Sequence, residues 1–137
     1  MGLTDAGEVY AWGWGDRGQL GTGSWKNVSA PTLIAKLLFA EGAGATSTTV
    51  FVTQVECGAD HSLALSDIGQ VFSWGGGARG QLGHGAGVDL AAPRAIDTFR
   101  RRVTMIGCGA YHSVAVTGTG AMYVWGGGAT QVGAPRG

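Results

Sequence analysis

The sequence predicts an all-β chain of repeated four-stranded antiparallel units, the pattern of a partial β-propeller. Two self-alignments and the spacing of turns carry this reading. Sliding the chain by 62 residues lays LTDAGEVYAWGWGDRGQLGTG over LSDIGQVFSWGGGARGQLGHG without a gap, with Trp12 on Trp74 and Pro31 on Pro93. Sliding it by 51 lays CGADHSLALSDIGQVFSWGGGA over CGAYHSVAVTGTGAMYVWGGGA, with Trp74 on Trp125. Each unit breaks into short strand-like stretches divided by glycine turns, and four strands recurring at about 50 residues fall in the range of propeller repeats.

In the second unit the strands fall near Val52 to Cys57, His61 to Ser66, Gln70 to Trp74 and Arg94 to Asp97. Alternation places Leu63 and Leu65 on one face. Asp5-Ala6-Gly7 and Asp67-Ile68-Gly69 supply glycine where a tight hairpin needs it. LIAKLLF, from Leu33 to Phe39, reads as a strand or a short helical turn. The two slides differ by eleven residues, and the difference falls in AEGAGATSTT, Ala40 to Thr49, read as an insertion in a surface loop. Such insertions are cheap because loop-closure entropy grows only logarithmically with length.

The chain therefore divides into a partial first unit with the inserted loop (1–51), a complete unit (52–102) and a truncated one (103–137). The last unit departs from the pattern, with Gln131 in GGGATQVG where Gly18 and Gly80 stand earlier. Roughly two and a half units fall short of the four to eight blades of a closed ring. A fragment of a longer protein is the expectation. Its uncovered blade faces should make the isolated segment self-associate.

Several function classes are disfavoured. GWGDRG, Gly13 to Gly18, spells a dinucleotide-binding G-x-G-x-x-G, which requires a helix to begin at the last glycines. QLGTGS follows instead, and the spacing recurs as GGGARG at Gly75 to Gly80, as a structural repeat requires. Nine basic and nine acidic residues balance, which gives no nucleic-acid footprint. No apolar run approaches the eighteen or so residues needed to span a bilayer, so no membrane contact is expected. Two cysteines and no signal peptide point to cytoplasm or nucleus.

Cys57-x3-His61 and Cys108-x3-His112 together suggest a zinc site, but equivalent positions in packed sheets lie about 10 Å apart, too far for one ion. A nucleophilic Cys-His pair needs an orienting group and an oxyanion site. Duplication favours structure: buried cysteines, histidines whose ring nitrogens satisfy neighbouring backbone groups, and Trp12, Trp74 and Trp125 as core between blades. Gly58 and Gly109 belong to the same structural set. No cofactor, metal or covalent catalysis is expected.

Residues that the repeat does not dictate are the better contact candidates. Asp60 and Tyr111 share one variable position, in a turn expected to reach a face of the propeller. Trp14, Arg17, Trp25, Arg79 and His84 decorate the loops after the tryptophan strands, and aromatic and Arg side chains are enriched at interface hot spots.

The series C-G-x-x-H-S-L-A-L, D-x-G-x-V-F-x-W-G and G-Q-L-G-x-G with a downstream proline resembles the regulator of chromosome condensation repeat. The resemblance implies a seven-bladed propeller and covers nearly the whole chain. It implies a protein partner, and as an alternative a guanine nucleotide exchange factor for a Ran-type GTPase, in which acidic and polar residues of the turn occupied by Asp60 contact the GTPase. The family's ultraviolet-sensing members use a G-W-R-H turn. Here that turn reads G-A-D-H and G-A-Y-H, without the key tryptophan.

Overall fold

Alternating runs rich in Val, Leu and aromatic residues, each ended by a glycine turn, build strands because their branched and aromatic side chains fit a pleated, half-buried surface. The computed structural model describes residues 1–34, 38–39, 48–85, 87–96, 99 and 101–127. The strands are β1 (Gly2–Leu3), β2 (Val9–Gly13), β3 (Val28–Leu33), β4 (Leu38–Phe39), β5 (Thr48–Thr49), β6 (Val52–Cys57), β7 (His61–Ser66), β8 (Val71–Gly75), β9 (Leu90–Ala95), β10 (Val103–Cys108), β11 (His112–Thr117) and β12 (Met122–Gly126). No helix occurs among the described residues, and none is long and apolar enough to cross a membrane.

The strands form sheets ordered β1-β2-β3, β6-β7-β8-β9 and β10-β11-β12, with β4 and β5 as a separate pair. All pairings are antiparallel, and the repeat is visible in the register. His61 lies opposite Gly75 in β7 and β8, as His112 lies opposite Gly126 in β11 and β12.

The three sheets stack through two apolar layers. Val9, Ala11, Leu20 and Ile34 meet Val52, Ala64, Phe72 and Trp74 between the first and second sheets. Leu63, Leu65, Val71 and Ile96 meet Val103, Ile106, Ala115 and Trp125 between the second and third. Strand alternation sends Ala64 to one layer and Leu63 and Leu65 to the other. All six residues of β7 are consequently buried, whereas in β11 burial alternates.

Several expectations need correction. The third strand runs one residue later than expected, and the fourth begins at Leu90 rather than Arg94. Pairing resumes past an irregularity, with Gly75 opposite Leu90, so the strand extends back from Pro93. Proline is tolerated there because β9 is an edge strand and needs no inward-facing N–H at that residue. Leu33 ends β3 and Leu38 and Phe39 pair with Thr49 and Thr48 as strands, while residues 35–37 between them lie outside the described residues. The rest of the inserted segment (40–47), Asp97, and the last turn from 128 onward with Gln131 lie outside the described residues.

Trp12 is not a core residue: it is 42% exposed, while Trp74 is fully buried. Trp12 occupies the face of the first sheet turned away from the second, where none of the other sheets among the described residues packs on it. The cysteines are not buried as expected either, with Cys57 exposed and Cys108 half-buried. Each ends an edge strand, β6 or β10, where the chain leaves its sheet.

Candidate functional site

The candidate site is the rim at which the G-A-x-H turns meet the G-x-R-G-Q-L-G loops of neighbouring sheets. Its scaffold is a set of repeated hydrogen bonds. The Gln19 carbonyl in the first unit accepts the Ser62 hydroxyl at 2.9 Å and the Trp74 indole N–H at 3.0 Å. The Gln81 carbonyl accepts the Ser113 hydroxyl at 2.7 Å and the Trp125 indole N–H at 3.0 Å. Consecutive G-A-x-H turns are tied directly, Ala59 N–H donating to the Ala110 carbonyl at 2.9 Å. Gln54 adds a two-pronged clasp, its amide nitrogen donating to the Ile106 carbonyl at 2.8 Å and its oxygen accepting Ile106 N–H at 3.2 Å.

His61 is part of this scaffold. It is buried, and its ring lies against Gly58, where any Cβ would overlap the imidazole. Gly109 leaves the same room for His112. His61 Nε2 is 3.0 Å from Ser113 Oγ. Because the Ser113 hydroxyl already donates to Gln81, His61 Nε2–H donates to Ser113. Nδ1 is then a bare acceptor, buried with no partner among the described residues. Of the expected backbone partners, His112 acts on the ring through a backbone hydrogen bond, while the Nε2 contact is to a side chain. Burial lowers the His61 pKa, with Asp60 and a backbone hydrogen bond with His112 acting in the opposite direction.

The Cys-His repeats assemble no reactive pair. Burial pushes the Cys108 thiol up to about 12, with Cys57 and Glu56 acting in the same sense, so it remains a neutral thiol near pH 7. Among the described residues no three of His, Cys, Asp and Glu come together in a metal-holding group.

The non-repeated residues sit on top of this scaffold. Trp14 is 74% exposed and borders a cleft that Asp60 also lines. Asp60 lies over Gly76, where a Cβ would crowd its carboxylate, and Oδ1 accepts Gln81 Nε2–H at 3.3 Å. Arg79 places its guanidinium 4.4 Å from the centroid of the Tyr111 ring. Arg17, one repeat earlier, reaches Asp89 at 3.6 Å across the same kind of boundary. Both arginines therefore bridge from one unit to the next. His84 does not join them: it hydrogen-bonds Ser73 Oγ at 2.9 Å and lines a separate, smaller depression with Val88 and Arg94. Trp25 is exposed.

The sequence reading missed the glutamine carbonyls, Gln54 and the Arg17–Asp89 pair. Gln19 and Gln81 carry a signal, since both stand in the G-Q-L-G series and each lies ahead of a repeated Ser and Trp. Gln54 carries none, because its partner is a backbone amide unit in another sheet.

Comparison with known proteins agrees with this geometry. Residues 6–65 and 69–116 match the Regulator of chromosome condensation (RCC1) repeat, and 52–81 match a second version of it. The chain is 39% identical over 127 residues to the human E3 ubiquitin-protein ligase HERC2, covering 92% of this chain and 2% of that protein. It superposes on human WBSCR16 with a TM-score of 0.77 and 32% identity, covering 98% of this chain and 34% of that one. It superposes on Prp20p from Saccharomyces cerevisiae, whose structure was described with its binding to Gsp1p and histones, with a TM-score of 0.72. That match has 23% identity over 96% of this chain and 32% of Prp20p, a likeness of fold alone.

Proposed function

We infer that this chain, which belongs to the regulator of chromosome condensation repeat family, is a protein–protein interaction module that binds its partner along the rim of the stacked sheets. One observation carries the reading. Trp14, Asp60 and Tyr111, which the repeat does not dictate, are held together with the recurring arginine Arg79 at that rim by a scaffold of repeated hydrogen bonds. An aromatic and arginine-rich surface on rigid strand ends is the arrangement that interface hot spots favour. The chain spans about a third of the solved propellers it superposes on, and partners of a whole propeller are part of this proposal.

The test is proximity labelling with the wild-type chain and with a Trp14→Ala, Asp60→Asn, Arg79→Ala variant. The expected result is a defined set of proteins labelled by the first and lost from the second. Identical labelling by both would remove the rim from the proposal.

A second reading, nucleotide exchange on a Ran-type GTPase, draws on the fold likeness to Prp20p. Asp60 at the turn position is its support in this chain. Release of labelled GDP from Ran-type and other small GTPases decides it, and no acceleration at micromolar chain would reject it.

A further inference from the structure

The cleft between the first and second sheets has a chemistry that narrows the kind of partner. It encloses ≈ 110 Å³ and is bordered by Trp12, Trp14, Gln19, Leu20, Cys57 and Asp60. That volume is roughly four waters' share of liquid. Small-molecule and cofactor pockets begin at about 300 Å³. The cleft thus fits the end of one side chain.

Its walls select a cation. The exposed Trp14 indole stands on one side, and an indole face attracts a cation within about 6 Å of its centroid. Asp60 also lines the cleft, its carboxylate lying over Gly76. Oδ1 is engaged by the neutral Gln81 amide, and no lysine, arginine or α-ammonium lies within ion-pair distance of Asp60 among the described residues. Met1 also lines the cleft, its ammonium acting on Cys57. His61, the remaining titratable neighbour, is held neutral by its burial. Arg17 and Arg79, the two rim arginines, are turned to Asp89 and Tyr111.

We propose that this cleft receives a single lysine or arginine side chain from an extended basic segment of the partner protein, with the cation between Asp60 and the Trp14 indole. The inference rests on the interaction-module reading and specifies its partner. One side chain gives modest affinity alone.

Three fluorescein-labelled peptides of one Gly-Ser framework test this, carrying lysine and arginine, their neutral counterparts norleucine and citrulline, or glutamate. Binding to the whole chain is followed by anisotropy. The basic peptide should bind most tightly, and less so as salt rises. Asp60→Asn, which keeps the Gln81 acceptor, should weaken it about three- to tenfold, and Trp14→Ala about two- to fivefold. Equal binding of the neutral or acidic peptide, or an unchanged affinity in Asp60→Asn, would overturn the cation assignment and leave the module reading standing. Binding of none of the three, together with rim-independent labelling, would overturn both.

Discussion

The carbonyl of Gln81 receives the Trp125 indole N–H from the next sheet at 3.0 Å, and Gln19 receives Trp74 in the same way at the same distance. One backbone acceptor per unit thus satisfies the polar atom of the largest side chain in the neighbouring apolar layer. A buried indole N–H left without a partner costs about 1 to 3 kcal/mol. The glutamine in the loop and the tryptophan in the next strand are therefore linked requirements, and their distance along the sequence hides a direct contact.

Replacing Trp74 should cost far more than replacing Trp14. Trp74 is fully buried between two sheets and Trp14 is 74% exposed. Trp74→Ala is expected to lose about 3 to 5 kcal/mol and Trp14→Ala no more than about 0.5. Equal losses in denaturant melts would contradict the assignment of Trp74 to the core and Trp14 to the rim.

Gly80 and Gly83 separate backbone strain from steric exclusion. Both have φ of 76°, but a Cβ on Gly83 would stand 2.9 Å from Trp125 Nε1, whereas one on Gly80 meets nothing within 4 Å among the described residues. Gly80→Ala should cost about 1 to 2 kcal/mol for the left-handed conformation alone. Gly83→Ala should cost about 1 to 3 kcal/mol more, because the indole must give way. Matching melts for the two variants would show that the loop yields rather than the tryptophan.

The fold was legible because it is repetitive. The strands Val52–Cys57 and His61–Ser66 fall where the alternation of HSLALS and the glycine boundaries place them. The fourth strand was misplaced because its proline reads as a boundary, whereas an edge strand accommodates it. Trp12 was misjudged because repetition equates it with Trp74, but burial depends on having a sheet on that side. Asp60 and Tyr111 stood out by differing between units. Their neighbours Gln81 and Arg79 are distant in sequence, and no local pattern announces those contacts.

Stability should fall on acidification below about pH 6.5, the ordinary histidine value. Burial depresses the His61 pKa in the folded chain, so the unfolded chain binds the proton more readily. The stabilisation is complete above the unfolded value and is lost as pH falls toward the depressed one. A charged ring would also place an N–H on the unpartnered Nδ1. One such group steepens the dependence by at most about 1.4 kcal/mol per pH unit. Denaturant midpoints for wild type and His61→Gln between pH 7.5 and 5.5 check this, and parallel slopes would remove His61 as the source.

The outer faces of the stack predict head-to-tail association. Tyr10 and Trp12 face away from the second sheet on one side, with Trp12 42% exposed. On the other side Val114, Val116, Val124 and Met122 alternate away from the second sheet, with Met122 60% exposed. Within the chain, aromatic residues of one sheet pack on aliphatic residues of the preceding one, as Phe72 and Trp74 do on Val9 and Ala11. The open aromatic face of one copy therefore matches the open aliphatic face of another. Because the two faces differ, the contact is heterologous and does not end at a dimer unless a ring closes. Sedimentation velocity over a range of concentrations should show a rising weight-average mass, reduced by Trp12→Ser. A concentration-independent monomer that binds no hydrophobic dye would mean that these faces are covered and would overturn the prediction.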